Sequence, residues 1–140
     1  MSNWLLFALL SALFASLTAI FAKIGMKGVD SDLATAIRTI VILLLAWGIV
    51  LFRNKAVGLP QLSRQNWTFL LLSGIATGLS WLFYFRALQA GKVSQVAPVD
   101  KLSVALTIIL TVAFLGEALS WKTAAGAAFI LVGTLIIAWQ

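Results

Sequence analysis

Residues 33–52 read LATAIRTIVILLLAWGIVLF, and Arg38 is the one charged residue among these twenty positions. An α-helix rises about 1.5 Å per residue, so twenty residues extend about 30 Å, the thickness of the hydrocarbon core of a bilayer. Three polar residues, 30–32, precede the run as candidate N-caps, and Arg53 and Lys55 follow it. This segment therefore predicts a transmembrane helix.

Four further runs of similar length and composition flank this segment. They cover residues 4–22, 67–88, 94–115 and 121–139. Ser120 precedes the last run as a candidate N-cap. The runs are continuous rather than alternating, whereas the strands of membrane barrels are only about ten residues long. Hydrophobic residues make up 62% of the chain and charged residues 10%, while about a quarter of an ordinary soluble domain is charged. The sequence predicts an all-α integral membrane protein with five transmembrane helices in a single domain, residues 1–140.

The residue types also exclude several classes of function. The 140 residues include no Cys and no His, which removes disulfides, thiolate metal sites and the commonest general base. No glycine-rich phosphate loop or nucleophile–base pair is present, so we expect neither an enzyme nor a cofactor or metal. Ten Lys and Arg face four Asp and Glu, but they stand singly at the ends of apolar runs. This placement indicates membrane anchoring rather than nucleic-acid binding.

The N-terminal run requires separate consideration, because signal peptides are also apolar. It has no basic residue before Lys23 and is about twenty residues long, whereas the apolar region of a signal peptide is shorter and follows a basic start. We therefore expect a retained transmembrane helix.

The basic residues between spans divide evenly between the two sides of the membrane. Arg53, Lys55, Arg64 and Lys122 fall on the side of the N-terminus, and Lys23, Lys27, Arg86 and Lys92 on the other. Positive residues in short loops normally set orientation, so this tie gives no orientation signal. Either copies insert both ways and pair as an antiparallel homodimer of ten helices, or other features fix one orientation.

Span four carries the ionisable residues Asp100 and Lys101. The apolar run after Lys101 is too short to cross the bilayer alone, so both residues are expected to enter the membrane zone, with Pro98 kinking the helix. Charged groups there cost several kcal/mol unless they are paired or wetted. Asp100 is therefore a candidate site residue, and the alternative is that it neutralises a nearby Arg or Lys.

A polar stripe continues from Asp100 at helical spacing. Its members at i, i+3, i+7 and i+11 are Asp100, Ser103, Thr107 and Thr111. Such a stripe can line a water-filled cavity or a solute path. The alternative is that the Ser and Thr hydroxyls bond to their own backbone.

Arg38 lies early in span two, where its long side chain favours snorkelling to the membrane interface. Two other partners are open to it, namely Asp100 and an anionic group of a substrate. Both Arg38 and Asp100 fall in the membrane half away from the N-terminus.

Span three presents a mixed aromatic and polar face. Its residues are Gly74, Thr77, Trp81 and Tyr84. Aromatic rings on such a face suit an organic substrate or cation, through stacking or cation–π attraction. Ordinary helix packing with an interfacial aromatic belt explains the same pattern. Gly74 and Gly78 form a GxxxG pair, which predicts close packing of a helix at this position.

Four stretches of the chain resemble the EamA domain of the drug/metabolite transporter superfamily. They are YFRAL at 84–88, VAPVDK at 96–101, FLGE at 114–117 and LVG at 131–133 after Gly126. Lys23 and Arg38 fit the same pattern, and the resemblance extends over essentially the whole chain. It is strongest to the single-domain, five-helix bacterial and archaeal members.

The resemblance implies a fold and a function. Larger members of this family carry two such domains as inverted repeats, with ten helices around a central cavity, and commonly export metabolites or amino acids. This chain would then be half of a ten-helix transporter and would need a second copy. The related small multidrug exporters use a carboxylate in their first helix, but span one has no acid, so their proton-antiport mechanism is not implied.

We therefore expect a multi-pass protein of the inner cell membrane that acts as a dimeric secondary transporter. It would export small organic metabolites, amino acids or drug-like compounds by alternating access. The candidate substrate-binding residues are Asp100, Lys101, Ser103, Thr107, Trp81, Tyr84 and Arg38. A flippase for a lipid-linked headgroup and a non-transporting membrane subunit of a larger complex are the alternatives.

Overall fold

The computed structural model describes residues 3–139, and every regular element in that range is helical. Five helices within it are long and apolar enough to cross a membrane. In hydrocarbon, where water cannot satisfy the backbone, a helix is stable because its amide and carbonyl groups bond within the segment. The prediction of an all-α membrane protein with five transmembrane helices is confirmed.

The helices follow the predicted spans closely. They are α1 (Asn3–Gly25), α2 (Ser31–Phe52), a short 3₁₀-helix (Ala56–Gln61), α3 (Arg64–Ala90), α4 (Val93–Asp100), α5 (Leu102–Leu110), a π-helical turn (Thr111–Leu115) and α6 (Trp121–Ala138). The fourth span, Val93–Leu115, consists of α4, α5 and the π-helical turn. Each predicted end lies within three residues of the observed one.

Polar side chains set several helix ends. The Oδ1 atom of Asp30 accepts hydrogen bonds from the backbone N–H groups of Asp32 at 2.9 Å and Leu33 at 3.1 Å, and so caps α2. The Oγ atom of Ser120 accepts from the N–H of Thr123 at 3.1 Å and caps α6. Both residues were predicted as caps, and each satisfies donors that a helix start leaves unpaired.

Helix α3 is longer than its apolar run. It begins three residues before the predicted span because the hydroxyl of Ser63 accepts a hydrogen bond from the N–H of Asn66 at 3.1 Å. Hydropathy identifies the part of a helix that lies in lipid, whereas the cap determines where the helix starts. A polar first turn can therefore precede the membrane-spanning part.

The fourth span is interrupted at Lys101, between α4 and α5. The backbone N–H of Lys101 donates to the carbonyl of Pro98 at 2.9 Å, and the N–H of Val104 donates to the carbonyl of Lys101 at 3.0 Å. Both bonds join residues three apart and tighten the backbone on either side of the break. Pro98 itself lies inside α4, and the disruption that was expected at Pro98 falls three residues later, at Lys101.

The chain divides into two compact units. One is Phe21–Gln89, in which Phe85 and Leu88 of α3 are the largest fully buried side chains. The other holds the residues from Ala90 onward and the start of α1, and in it α6 packs against α4 and α5.

Most large apolar side chains remain exposed in the isolated chain. Phe52 is 94% exposed and Phe114 is 82% exposed, as expected for surfaces that contact lipid or another protein. A Cβ atom added to Gly74 or Gly78 would meet no atom within 4 Å. The Phe21–Gln89 unit therefore leaves space beside this glycine pair, and close packing of a helix there stays a prediction.

Candidate functional site

Asp100 and Lys101 form an ion pair at the break in the fourth span. The Nζ atom of Lys101 lies 3.1 Å from Oδ2 of Asp100. The side chain of Asp100 is 34% exposed and that of Lys101 is 55% exposed. The alternative that Asp100 neutralises a nearby cation is therefore observed. The pair joins consecutive residues and leaves the second carboxylate oxygen free to accept another hydrogen bond.

The hydroxyl groups that follow on α5 and at the start of the π-helical turn lack hydrogen bonds. Ser103 and Thr107 are exposed and Thr111 is half-buried, and none of the three hydroxyls bonds to any residue in the range 3–139. The threonines of α2 and α3 differ, because each donates to the carbonyl four residues earlier at 2.7–3.0 Å. The alternative in which the stripe hydroxyls bond to their own backbone is not seen.

A threonine on α6 supports the break in the fourth span. Thr134 is 4% exposed, and its hydroxyl donates to the carbonyl of Pro98 at 3.3 Å. The same carbonyl accepts from the N–H of Lys101. A neighbouring helix thus helps to hold the backbone that carries Asp100.

Arg38 stacks on an aromatic ring in the Phe21–Gln89 unit. Its Cζ atom lies 4.0 Å from the centroid of the Phe85 ring. Its Nη1 atom is buried and has no hydrogen-bond partner among residues 3–139. Snorkelling of the rest of this side chain to the membrane interface stays a prediction.

The two aromatic candidates of α3 are half-buried. Tyr84 contacts Phe85 edge to face, with ring centroids 5.2 Å apart and an interplanar angle of 67°. Trp81 lies about one turn earlier on the same helix. The structure thus brings Arg38 and Tyr84 to a common neighbour, Phe85, which was not predicted as a site residue.

A second polar cluster ties α2 to α3. The Nε atom of Arg86 donates to Oδ1 of Asp32 at 3.0 Å and its Nη2 atom donates to Oδ2 at 2.5 Å. This is the two-pronged geometry in which a guanidinium holds a carboxylate best. The signal in the sequence was the opposite charge of the start of span two and the end of span three, which the five-span topology places on one side.

Two more hydrogen bonds connect the same part of the chain. The Nζ atom of Lys23, near the end of α1, donates to the carbonyl of Leu88 at 2.5 Å. The side-chain amide of Gln89 donates to the carbonyl of Val29 at 2.8 Å. These bonds attach the end of α3 to α1 and to the α1–α2 loop.

The sequence profile of the EamA-like transporter family matches residues 2–139. The chain belongs to the EamA-like transporter family. A Sinorhizobium protein described as an "uncharacterized transporter in cobO 3'region" is 48% identical over 136 residues, which cover 97% of this chain and 96% of that protein. An uncharacterized protein of Methanocaldococcus jannaschii is 25% identical over 137 residues, which cover 98% of this chain and 97% of that protein. No solved structure matches the chain significantly.

Membership of the EamA-like family, the transporter named among its relatives and the five apolar helices make the chain a multi-pass membrane transporter. Its substrate is then a small molecule, and its surroundings are the lipid bilayer. Within residues 3–139, no group of three or more Asp, Glu, His or Cys side chains is placed to hold a metal ion.

The predicted site residues of this EamA-like chain fall into two groups. One comprises Asp100, Lys101, Ser103 and Thr107, and the other comprises Arg38, Trp81 and Tyr84. Pairing of Arg38 with Asp100 stays a prediction. An open depression at the start of α3, lined by Gln65, Asn66, Phe69 and Leu70, includes none of these residues.

Proposed function

We propose that this chain is a secondary transporter that exports small organic solutes, such as amino acids, other metabolites or drug-like compounds. It would act as a homodimer by alternating access. Family membership establishes membrane transport; the direction, the solute class and the dimer are our proposal. The observation that carries it is the run of unpaired hydroxyls on α5 beside the Asp100–Lys101 pair.

Unpaired hydroxyls are unfavourable in hydrocarbon. A hydroxyl without a hydrogen bond costs roughly 2–7 kcal/mol on transfer from water to an apolar medium, depending on the reference. Ser103 and Thr107 could each avoid part of this cost by bonding to their own helix, as the threonines of α2 do. Because they do not, a wet path or a second protein surface is the favourable environment for this face.

The charged and aromatic candidates suggest how a solute is held. Asp100 would bind a cationic group or a proton, with Lys101 as its counter-ion in the empty state. Trp81 and Tyr84 would flank the organic part of the solute, since aromatic faces attract both apolar groups and cations.

The length of the relatives supports a dimer. Residues 1–140 would form one EamA-like domain, and the two relatives have nearly the same length, because this chain covers 96% and 97% of them. A ten-helix transporter built from such domains would then be assembled from two copies. The balanced loop charges support an antiparallel arrangement in the inner cell membrane, with a two-fold axis in the membrane plane.

Transport by the pure protein tests the function directly. The purified protein would be reconstituted in liposomes loaded in turn with labelled amino acids, amines and drug-like cations. We expect efflux of at least one class above that of protein-free liposomes, with no movement of a labelled lipid between leaflets. Lipid movement without solute efflux would show a flippase. Inactivity of the pure protein, with activity restored by a co-purified partner, would show a subunit of a larger complex.

Topology tests the dimer arrangement separately. A reporter fused to the C-terminus should be accessible from both sides of the membrane if copies insert in both orientations. A signal from one side alone would discard the antiparallel homodimer. The solute assay would stand in either case, because it does not depend on orientation.

A further inference from the structure

The guanidinium N–H groups of Arg38 donate no hydrogen bond to residues 3–139. Besides the buried Nη1 atom, the other guanidinium nitrogens also make no hydrogen bond with residues 3–139. A buried donor without a partner destabilises the folded state. The ring of Phe85 covers one face of the guanidinium, which fixes its plane without satisfying a single N–H.

The carboxylates of the chain are mostly engaged elsewhere. Asp32 binds Arg86, Asp100 binds Lys101, and Asp30 accepts two backbone N–H groups at the start of α2. Glu117 is the fourth and last acidic residue of the sequence. The sequence has ten basic and four acidic residues, so basic side chains outnumber the carboxylates that can pair with them. The guanidinium of Arg38 can therefore bind a partner that does not belong to residues 3–139.

We infer that Arg38 and Phe85 form a binding site for one oxyanion, a carboxylate or a phosphate group. The half-buried side chain leaves its Nε and Nη2 edge for the ligand. Arg86 holds Asp32 through this same edge, at 3.0 and 2.5 Å. Stacking on Phe85 orients the guanidinium plane of Arg38. A planar guanidinium binds an oxyanion through two parallel N–H···O hydrogen bonds.

The oxyanion has two sources, a transported solute and a lipid headgroup. With a solute, the inference deepens the proposed function and rests on it, because the exported compound then carries a carboxylate or phosphate. With a lipid, the site is a fixed headgroup contact. Both share the chemistry at Arg38, and the two arms of one experiment separate them.

The solute arm measures binding to the full chain, purified in detergent and stripped of lipid. Phenylacetate and its neutral isostere phenylacetamide are the matched probes. We expect phenylacetate to bind more tightly than the amide.

Arg38→Gln should weaken phenylacetate binding about 10- to 100-fold and leave amide binding unchanged, since a charge-assisted pair is lost. Arg38→Lys should retain part of the affinity, because it keeps the charge but not the fork. Arg53→Gln, at the end of α2, is the control.

The lipid arm uses native mass spectrometry of the protein purified with phosphatidylglycerol. A bound lipid that is lost in Arg38→Gln but kept in Arg53→Gln would assign the oxyanion to a headgroup. Equal binding of the two phenyl probes, together with equal lipid retention in both variants, would overturn the site.

Stability distinguishes a binding role from a structural one. Arg38→Met keeps a long side chain against Phe85 and removes the unsatisfied donors, so we expect an unchanged or higher Tm without ligand. A clear fall in Tm would show that Arg38 serves the fold. Solute efflux from liposomes that is insensitive to Arg38→Gln, without anion preference in binding, would remove the site and leave the proposed function intact. Oxyanion binding without any efflux would support the site at Arg38 and contradict the proposed export function.

Discussion

The two ion pairs Asp32–Arg86 and Asp100–Lys101, both within residues 3–139, differ in what they connect. Asp32 and Arg86 lie 54 residues apart and join two helices through two hydrogen bonds. Asp100 and Lys101 are neighbours joined by one contact at a helix break. The first pair restrains the position of one helix against another, whereas the second restrains almost nothing. A polar group that holds no structure together in a membrane protein is the better candidate for binding a solute.

The largest effect should come from Asp100. We expect Asp100→Asn to reduce solute efflux about 10- to 100-fold, because hydrogen bonds to a charged group contribute about 1.5–3 kcal/mol. Efflux from liposomes measures it, and insertion and Tm should stay near those of the native protein. Glu117→Gln removes a carboxylate outside the helices and serves as the control. Normal efflux in Asp100→Asn would remove that residue from the site.

The hydroxyls of α5 should have a smaller effect. Ser103→Ala and Thr107→Ala are each expected to slow efflux about 2- to 10-fold, the range for one neutral hydrogen bond to a solute or to water in the path. Thr68→Ala deletes a hydroxyl that bonds to the carbonyl of Arg64 and should leave efflux unchanged. If all three variants behave alike, the stripe has no special role.

Substitution at the glycine pair of α3, Gly74 and Gly78, tests whether this helix face contacts a second copy of the chain. Gly74→Leu fills space that is open within the Phe21–Gln89 unit, so the fold of this unit should tolerate it. If this face meets a second copy, we expect roughly a several-fold loss of dimer in a detergent cross-linking titration. Gly48→Leu on α2, also in open space, is the control. Equal dimer levels in the two variants would place the interface elsewhere.

The smallest effect on transport should come from the Asp32–Arg86 pair. Asp32→Asn should lower Tm by a few degrees and change efflux little, because the pair is exposed and acts on the fold. The double variant Asp32→Arg with Arg86→Asp should recover most of the Tm, as the contact is restored in reverse. A loss of efflux at unchanged Tm would reverse the roles assigned to the two ion pairs.

The sequence predicted the five spans because the length and hydropathy of a segment are local properties, and the thickness of the bilayer sets the length that a span needs. It also placed the cap of α2 among residues 30–32 and that of α6 at Ser120, since a capping side chain acts on backbone within three residues of itself. The polar first turn of α3 was missed for the related reason that hydropathy does not report where a helix starts.

The site could be predicted only in part. Spacing along one helix placed Ser103 and Thr107 on one stripe, but whether their hydroxyls bond to their own backbone depends on side-chain rotamers. Phe85 was missed as the neighbour of Arg38, because the sequence of α3 does not show which of its aromatic residues faces α2. The GxxxG pair marked a surface able to pack closely, and nothing in the sequence says whether the partner belongs to the same chain.

The carbonyl of Pro98 has a consequence for motion. It accepts two donors, and one of them, the Thr134 hydroxyl, belongs to a side chain that can turn back to the carbonyl of Ile130 on its own helix. Exchanging one acceptor for the other conserves the number of hydrogen bonds. The angle between α4 and α5 can therefore change at a small cost in enthalpy. The break at Lys101 can act as a hinge beside Asp100.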